Sequence, residues 1–173
     1  MFDQPFIVIM YDVHKYFNAP HQPTIDAIRR PDILFFKMHN PTSTDSFSKT
    51  KKVTLKSNRI PHDIAKILSD PKHKKLCWDA ESTQAITHSL LTEAGISYNH
   101  YLDDYIDVKD LLYDYGYTCR SLSQIAKQFK LPVCPKANAR KPLLIAKRFK
   151  VLNAVVSKII TIDGLNLFDG ILI

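Results

Sequence analysis

The sequence predicts a single α/β domain built on one mixed five-stranded sheet with helices on its faces. Three observations lead there. Three strand-like segments follow one another in the first third of the chain. Helical and strand-like segments then alternate, and the last third is helical. The length and composition, 173 residues with 45% hydrophobic and 24% charged, are those of one globular domain. A chain of this size buries roughly two thirds of its unfolded surface, so it folds without help from disulfides or metals.

The elements follow in order. Phe6-Ile7-Val8-Ile9-Met10-Tyr11 is a continuous apolar run ending at Asp12 and reads as a strand buried on both faces. Asp32 to His39 reads as the second strand, and Lys51 to Lys56, with Val53 and Leu55 on one side, as the third. Asn18 to Pro31 carries three prolines and reads as a loop with at most one helical turn, and Asn40 to Ser46 as a hairpin-like turn. Pro61 opens a helix with Ile64, Ala65, Ile67 and Leu68 on one face, and Pro71 follows its end. Lys75 to Trp78 reads as the fourth strand, ending at Asp79. Gln84 to Ala94 places Ala85, Ile86, Leu90, Leu91 and Ala94 at helical spacing, and Gly95 stops it. Tyr105 to Val108 is a short fifth strand, followed by a helical segment from Asp110 to Tyr115. Ser121 caps a helix to Phe129, with Leu122, Ile125, Ala126 and Phe129 inward. The last long helix starts at Pro142 and runs through Val156. The tail from Ile159 is apolar and holds two of the four glycines. It reads as a docked segment or the start of a further one, which places the domain at residues 1–158 and the tail at 159–173.

No apolar run reaches the ~18 residues of a membrane span. Met1-Phe2-Asp3-Gln4-Pro5 lacks the basic start and apolar stretch of a signal peptide. Cys77, Cys119 and Cys134 are an odd number without Cys-x-x-Cys spacing. That excludes a disulfide framework and a cysteine-rich zinc site, and it suits a reducing compartment. The expectation is an intracellular protein, cytoplasmic or nuclear, with no membrane partner. Its net charge of +7 suits a polyanion. From Tyr115 to Ile162 there is no Asp or Glu, whereas Arg120, Lys127, Lys130, Lys136, Arg140, Lys141, Lys147, Arg148, Lys150 and Lys158 all fall there. This stretch reads as a phosphate-binding face; the alternatives are a solvated helix surface or a face that docks the acidic cluster Asp103, Asp104, Asp107, Asp110 and Asp114 just before it. Smaller basic groups lie at Lys49 to Arg59 and at Lys72-His73-Lys74-Lys75.

This order of elements is that of the ribonuclease H-like fold, and several segments resemble the 3′–5′ exonuclease superfamily named for its Asp-Glu-Asp-Asp residues. Phe6 to His14 resembles the family's first strand with its Asp-x-Glu. Leu76-Cys77-Trp78-Asp79-Ala80-Glu81-Ser82-Thr83 resembles the strand and turn of the second motif, and Gln84 to Ile96 the helix that follows. Tyr105-Ile106-Asp107-Val108-Lys109-Asp110 resembles a later strand, and Ser121 to Leu131 the short helix after it. Lys136-Ala137-Asn138-Ala139-Arg140-Lys141 and Pro142 to Phe149 resemble the last helix, where the family has a His and, five residues on, an Asp. The resemblance spans residues 5–157.

Such exonucleases hold two divalent metals with four carboxylates, and a His or Tyr near the last Asp helps deprotonate the attacking water. Carried over position by position, only Asp12 matches. His14 stands at the Glu position, Thr83 at the second-motif Asp, Lys136 at the His and Lys141 at the final Asp. A lysine ammonium repels a divalent cation. The resemblance thus implies a pseudo-exonuclease that keeps the fold without catalytic residues or cofactor. The expected function is a non-catalytic RNA-binding or scaffold module of a nucleic-acid-processing complex, with RNA and protein partners. Lys136, Arg140, Lys141, Arg148 and Lys150 are the expected phosphate contacts.

Other readings stand beside it. A metal-dependent nuclease would use Mg²⁺ or Mn²⁺ on Asp12, Asp63 or Asp70, and Asp79, with Glu81 nearby; against it, Asp after a strand is a common turn residue and Asp63 fits the first turn of a helix. A pure protein–protein interaction domain would use the tyrosines at 98, 101, 105, 113, 115 and 117 or the apolar tail. His14 could join Asp12 on a transition metal, although a lone strand-end His is more often simply hydrogen-bonded. Asp103, Asp104, Asp107 and Asp110 lack the Gly and final Glu of a calcium loop and read as a solvated or salt-bridged patch. Trp78, the only tryptophan, reads as core rather than as a base-stacking platform. The oligomeric state is left open.

Overall fold

The computed structural model describes residues 2, 4–14, 30–39, 50–55, 59–96, 104–135 and 142–171, with the backbone alone at 13, 14, 30, 142–143 and 165–171. The elements are β1 (Phe6–His14), β2 (Arg30–His39), β3 (Lys51–Thr54), α1 (His62–Ser69), β4 (Lys74–Cys77), α2 (Ala80–Glu93), β5 (Tyr105–Asp107), α3 (Val108–Asp114), α4 (Leu122–Gln128) and α5 (Pro142–Ile171). The five strands form one open sheet in the order β3-β2-β1-β4-β5. β1, β2 and β3 pair antiparallel, while β1, β4 and β5 run parallel. The sheet is therefore mixed and flanked by helices, as expected.

Side-chain alternation on the central strand divides the core in two. Ile7 and Ile9 join Leu34, Phe36, Cys77 and Tyr105 beneath α1 and α2, which contribute Ile64, Ala65, Leu68, Ile86, Leu90 and Leu91. Phe6 and Val8 join Ile33, Phe35 and Leu76 beneath α3, α4 and α5, which contribute Leu111, Leu112, Leu122, Ile125, Phe149, Leu152, Val155 and Val156. A central strand covered on both faces has no solvent side, which is why its sequence is an unbroken apolar run. α5 crosses the second face. Phe149 stacks on Phe35, centroids 5.8 Å apart, and Asn153 Oδ1 lies 3.4 Å from His39 Nε2. Phe35 pairs with Met10 and His39 with Phe6. The N-terminal end of α5 therefore points toward the C-terminal end of β1.

Several boundaries differ from the sequence reading: β2 starts at Arg30, β3 ends at Thr54, and Val108 opens α3 rather than closing β5. Three more differences have a visible cause. β1 continues past Asp12 to His14, with its pairing to β2 shifted between Asp12 and Val13. The shift skips Asp32 and sets Pro31 opposite Val13, a place where the missing proline N–H breaks no regular ladder. α2 begins at Ala80 rather than Gln84, because Asp79 caps it: the carboxylate accepts from Ser82 N at 3.3 Å and the carbonyl from Thr83 N at 3.1 Å. That phase leaves Ala85 exposed rather than inward. α5 runs on to Ile171 instead of stopping at Val156. Ile159 is fully buried and the Tyr115 hydroxyl donates to Asp163 Oδ1 at 2.6 Å. These contacts hold the helix past its core section, where Gly164 costs about 1 kcal/mol relative to Ala.

Ser121 caps α4 as expected: its hydroxyl accepts from Gln124 N at 3.1 Å, and Gln124 Oε1 accepts in return from Arg120 N at 2.7 Å. Most of the expected Asn18–Pro31 loop, the Asn40–Ser46 turn, Tyr98, Tyr101, Asp103, Lys136, Arg140 and Lys141 lie outside the described residues. Among the described residues, no helix is long and apolar enough to cross a membrane.

Candidate nucleic-acid interface

β1, β4 and β5 end at the same edge of the sheet, and β1 is the strand where the order turns back toward β2. In open α/β sheets ligands gather at such strand ends. Asp12, Asp79 and Asp107 lie at this edge. Asp12 pairs with Ile33, so its side chain follows Val8 and Met10 onto the face beneath α3–α5, where it is 4% exposed. Asp79 holds a left-handed backbone, φ 68 and ψ 76, which turns the chain sharply from β4 into α2. Asp107 is committed to the scaffold. Its Oδ1 accepts from Lys109 N at 3.0 Å and its Oδ2 from Ala80 N at 3.1 Å, so one carboxylate fastens the N-termini of α2 and α3. An Asp between a strand and a helical segment is the sequence signal for such a cap, and here it is hidden inside an acidic cluster.

Of the residues at the family's metal positions, the side chains of Asp12 and Thr83 are described, and these two do not meet. Thr83 is buried on the α1–α2 face, where its hydroxyl contacts the Cys77 thiol and its carbonyl accepts from Thr87 Oγ1 at 2.9 Å. Burial pushes that thiol up to about 12. Asp12 and Thr83 thus sit on opposite faces of the sheet. The alternative nuclease set places Asp12 and Asp79 at this edge and Asp63 and Asp70 elsewhere. Asp63 is exposed on α1, on the face opposite Asp12, and Asp70 caps the C-terminal end of α1, in the turn that leads into β4. Among the described residues no three His, Cys, Asp or Glu side chains come together to hold a metal. His14 closes β1 by its backbone.

The acid-free stretch forms a basic layer on the α3–α5 side. Arg120, Lys127, Lys130, Lys147, Lys150 and Lys158 are exposed. On α5, Lys147, Lys150, Ala154, Ser157, Lys158 and Thr161 form one stripe at helical spacing, opposite Phe149, Leu152, Val156 and Ile159. Arg148 is partly buried: Nη1 donates to Pro135 O at 3.2 Å and lies 3.9 Å from Cys134 Sγ, fixing the chain ahead of α5 with one of five guanidinium donors. Tyr115 and Asp163, the residues at the two limits of this stretch, bond to each other. Burial first, and then that carboxylate, push the Tyr115 phenol up to about 12. The first acid after the stretch is thereby bound by a tyrosine.

No protein-family model, no curated protein and no solved structure matches the chain. What the site does must be read from its own residues.

The basic group at residues 72–75 belongs to the scaffold instead. Lys75 is fully buried; its Nζ donates to Asp70 O at 3.0 Å and lies 4.0 Å from Asp104 Oδ2. Lys74 Nζ lies 3.8 Å from Asp104 Oδ1. Burial holds the Lys75 amine below its usual range, with Asp104 and Asp70 pulling it back. Part of the acidic patch is thus salt-bridged. The tyrosines divide as well. Tyr105 is buried, Tyr117 packs edge-on against Phe129, and Tyr113 is 72% exposed.

Proposed function

We propose that the chain is a ribonuclease H-like domain of exonuclease type that has lost its metal site and binds RNA without cutting it, as a module of a nucleic-acid-processing complex. The strand order β3-β2-β1-β4-β5, with β1, β4 and β5 parallel, supports the fold reading. The observation that carries the function is the basic layer of α4 and α5, drawn from a stretch with no acid to neutralise it. Such a layer attracts phosphates irrespective of sequence. The orientation of α5 supports a route for the strand. Its N-terminal half, with Lys147, Arg148 and Lys150, approaches the edge where Asp12 and Asp79 lie, and Lys136, Arg140 and Lys141 precede it in the chain. Lysines at the family's His and final Asp positions repel a metal and attract a phosphate. Three free cysteines suit a reducing, intracellular setting.

Single-stranded RNA and DNA incubated with the protein in Mg²⁺ or Mn²⁺, then run on native and denaturing gels, test both halves. The expected result is a shifted complex whose RNA is recovered at full length. Shortened product would overturn the non-catalytic half. Absence of any shift would overturn the RNA half and leave the protein-interaction reading.

A further inference from the structure

We infer that Trp78 and Lys109 form a base-and-phosphate subsite for single-stranded RNA at the strand-end edge, Trp78 stacking an unpaired base and Lys109 holding the adjacent phosphate. This rests on the RNA-binding reading above and adds the place where a base is held.

Trp78 is the first residue after β4, and the chain turns away immediately at left-handed Asp79. Leu76 and Cys77 before it are at most 1% exposed, whereas the indole is only partly buried, packed against the edge of the core beneath α3–α5. It therefore sits at the margin of the core, packed against it on one side and reached by solvent on the other. Lys109 Nζ stands over the ring, 5.9 Å from its centroid. The backbone of Lys109 is pinned by the Asp107 carboxylate, so the lysine stem rises from a fixed base. Cys119 is close enough to sense both charges: burial raises its thiol, Lys109 lowers it and Asp107 raises it.

An indole face covered only by a lysine can be taken by a flat aromatic group, because a lysine stem is flexible and a cation–π contact at a partly exposed site is weaker than base stacking. When a base takes the ring, the displaced ammonium stays within one side-chain length of it, where the flanking phosphate must lie. The Asp107 carboxylate beside it accepts two backbone N–H bonds, which offsets its repulsion of that phosphate. The N-terminal end of α5 runs toward the same edge, so a strand tracking Lys150, Arg148 and Lys147 is carried toward the indole.

Trp78 is the sole tryptophan, so its emission in the full chain reports on this position alone. The probe is a short oligouridine, fluorescein-labelled for anisotropy and unlabelled for tryptophan emission. The expected result is quenching of Trp78 with the same midpoint as the anisotropy rise. Trp78→Leu should weaken binding about tenfold and Trp78→Phe should recover most of it. Lys109→Gln should weaken binding severalfold and flatten its salt dependence. Binding by anisotropy with unchanged Trp78 emission would overturn the subsite and leave the RNA reading standing. No anisotropy change would overturn both.

Discussion

Two basic regions of this molecule look alike in the sequence and differ in the fold. At the start of β4, Lys74 and Lys75 face Asp104 at 3.8 and 4.0 Å, and Lys75 is sealed from solvent with the Asp70 carbonyl on its ammonium. Along α4 and α5, Arg120, Lys127, Lys130, Lys147, Lys150 and Lys158 are exposed, and none of the described ion pairs involves them. The first cluster is a cost of folding offset by internal acids. The second is a source of outward potential. A count of net charge cannot tell them apart. The folded proximity of an acid does.

The sharpest way to break this contrast is to remove the acid from the first cluster. Asp104→Ala removes the nearest carboxylate from a buried ammonium, leaving it the Asp70 carbonyl and the face of Tyr105, and should cost about 3 kcal/mol in urea unfolding. Lys75→Met in the same background should return most of that. Lys150→Ala, by contrast, should change stability by less than about 0.5 kcal/mol. The second cluster should respond in binding instead. Lys147→Glu with Lys150→Glu should lower RNA affinity about tenfold at low salt, with unfolding unchanged. The salt slope should fall by about 0.7 for each phosphate that is no longer neutralised. A smaller effect is expected at the strand-end turn. Asp79→Ala loses the cap while keeping a side chain at φ 68 and should cost about 1 kcal/mol, whereas Asp79→Gly, at ease with that φ, should be nearly neutral.

The smallest effect is in pH. Burial lowers the Lys75 pKa from 10.5, so between the lowered value and 10.5 the unfolded chain binds more protons than the folded one. Stability from this group is therefore present above pH 10.5 and lost as pH falls through the folded pKa. The raised Cys77 and Tyr115 act in the opposite sense over this range, so the Lys75 contribution is read as a difference: as pH rises toward 10.5 in chemical unfolding, wild type should gain stability relative to Lys75→Met, and parallel curves would contradict it.

Much of the scaffold is legible in the sequence. Phe6 to Tyr11 announces a central strand because only such a strand is apolar at every position. Ser121 announces α4 by cap chemistry. The start of α2 is not legible, because Asp79 caps from a left-handed conformation, a state that a sequence marks clearly only with Gly and that Asp adopts occasionally. The end of α5 is equally hidden, because Gly164 reads as a stop while the buried Ile159 and the Tyr115–Asp163 bond are tertiary. Of the candidate site, the basic stripe on α5 is visible as an absence of acids. The burial of Lys75, the dual cap at Asp107 and the placing of Lys109 over Trp78 are not, since each depends on what the neighbouring strand brings alongside.

The central claim is that the acid-free layer binds RNA through phosphates and does not cut it. The most direct test is the salt dependence of single-stranded RNA affinity in Mg²⁺, for the wild type and for Lys136→Asp combined with Lys141→Asp, with the RNA recovered and sized at the end. A steep loss of affinity with salt in the wild type, a flatter and weaker one in the variant, and full-length RNA in both are the expected results. Unchanged affinity and slope in the variant, or shortened RNA with the wild type, would contradict the account.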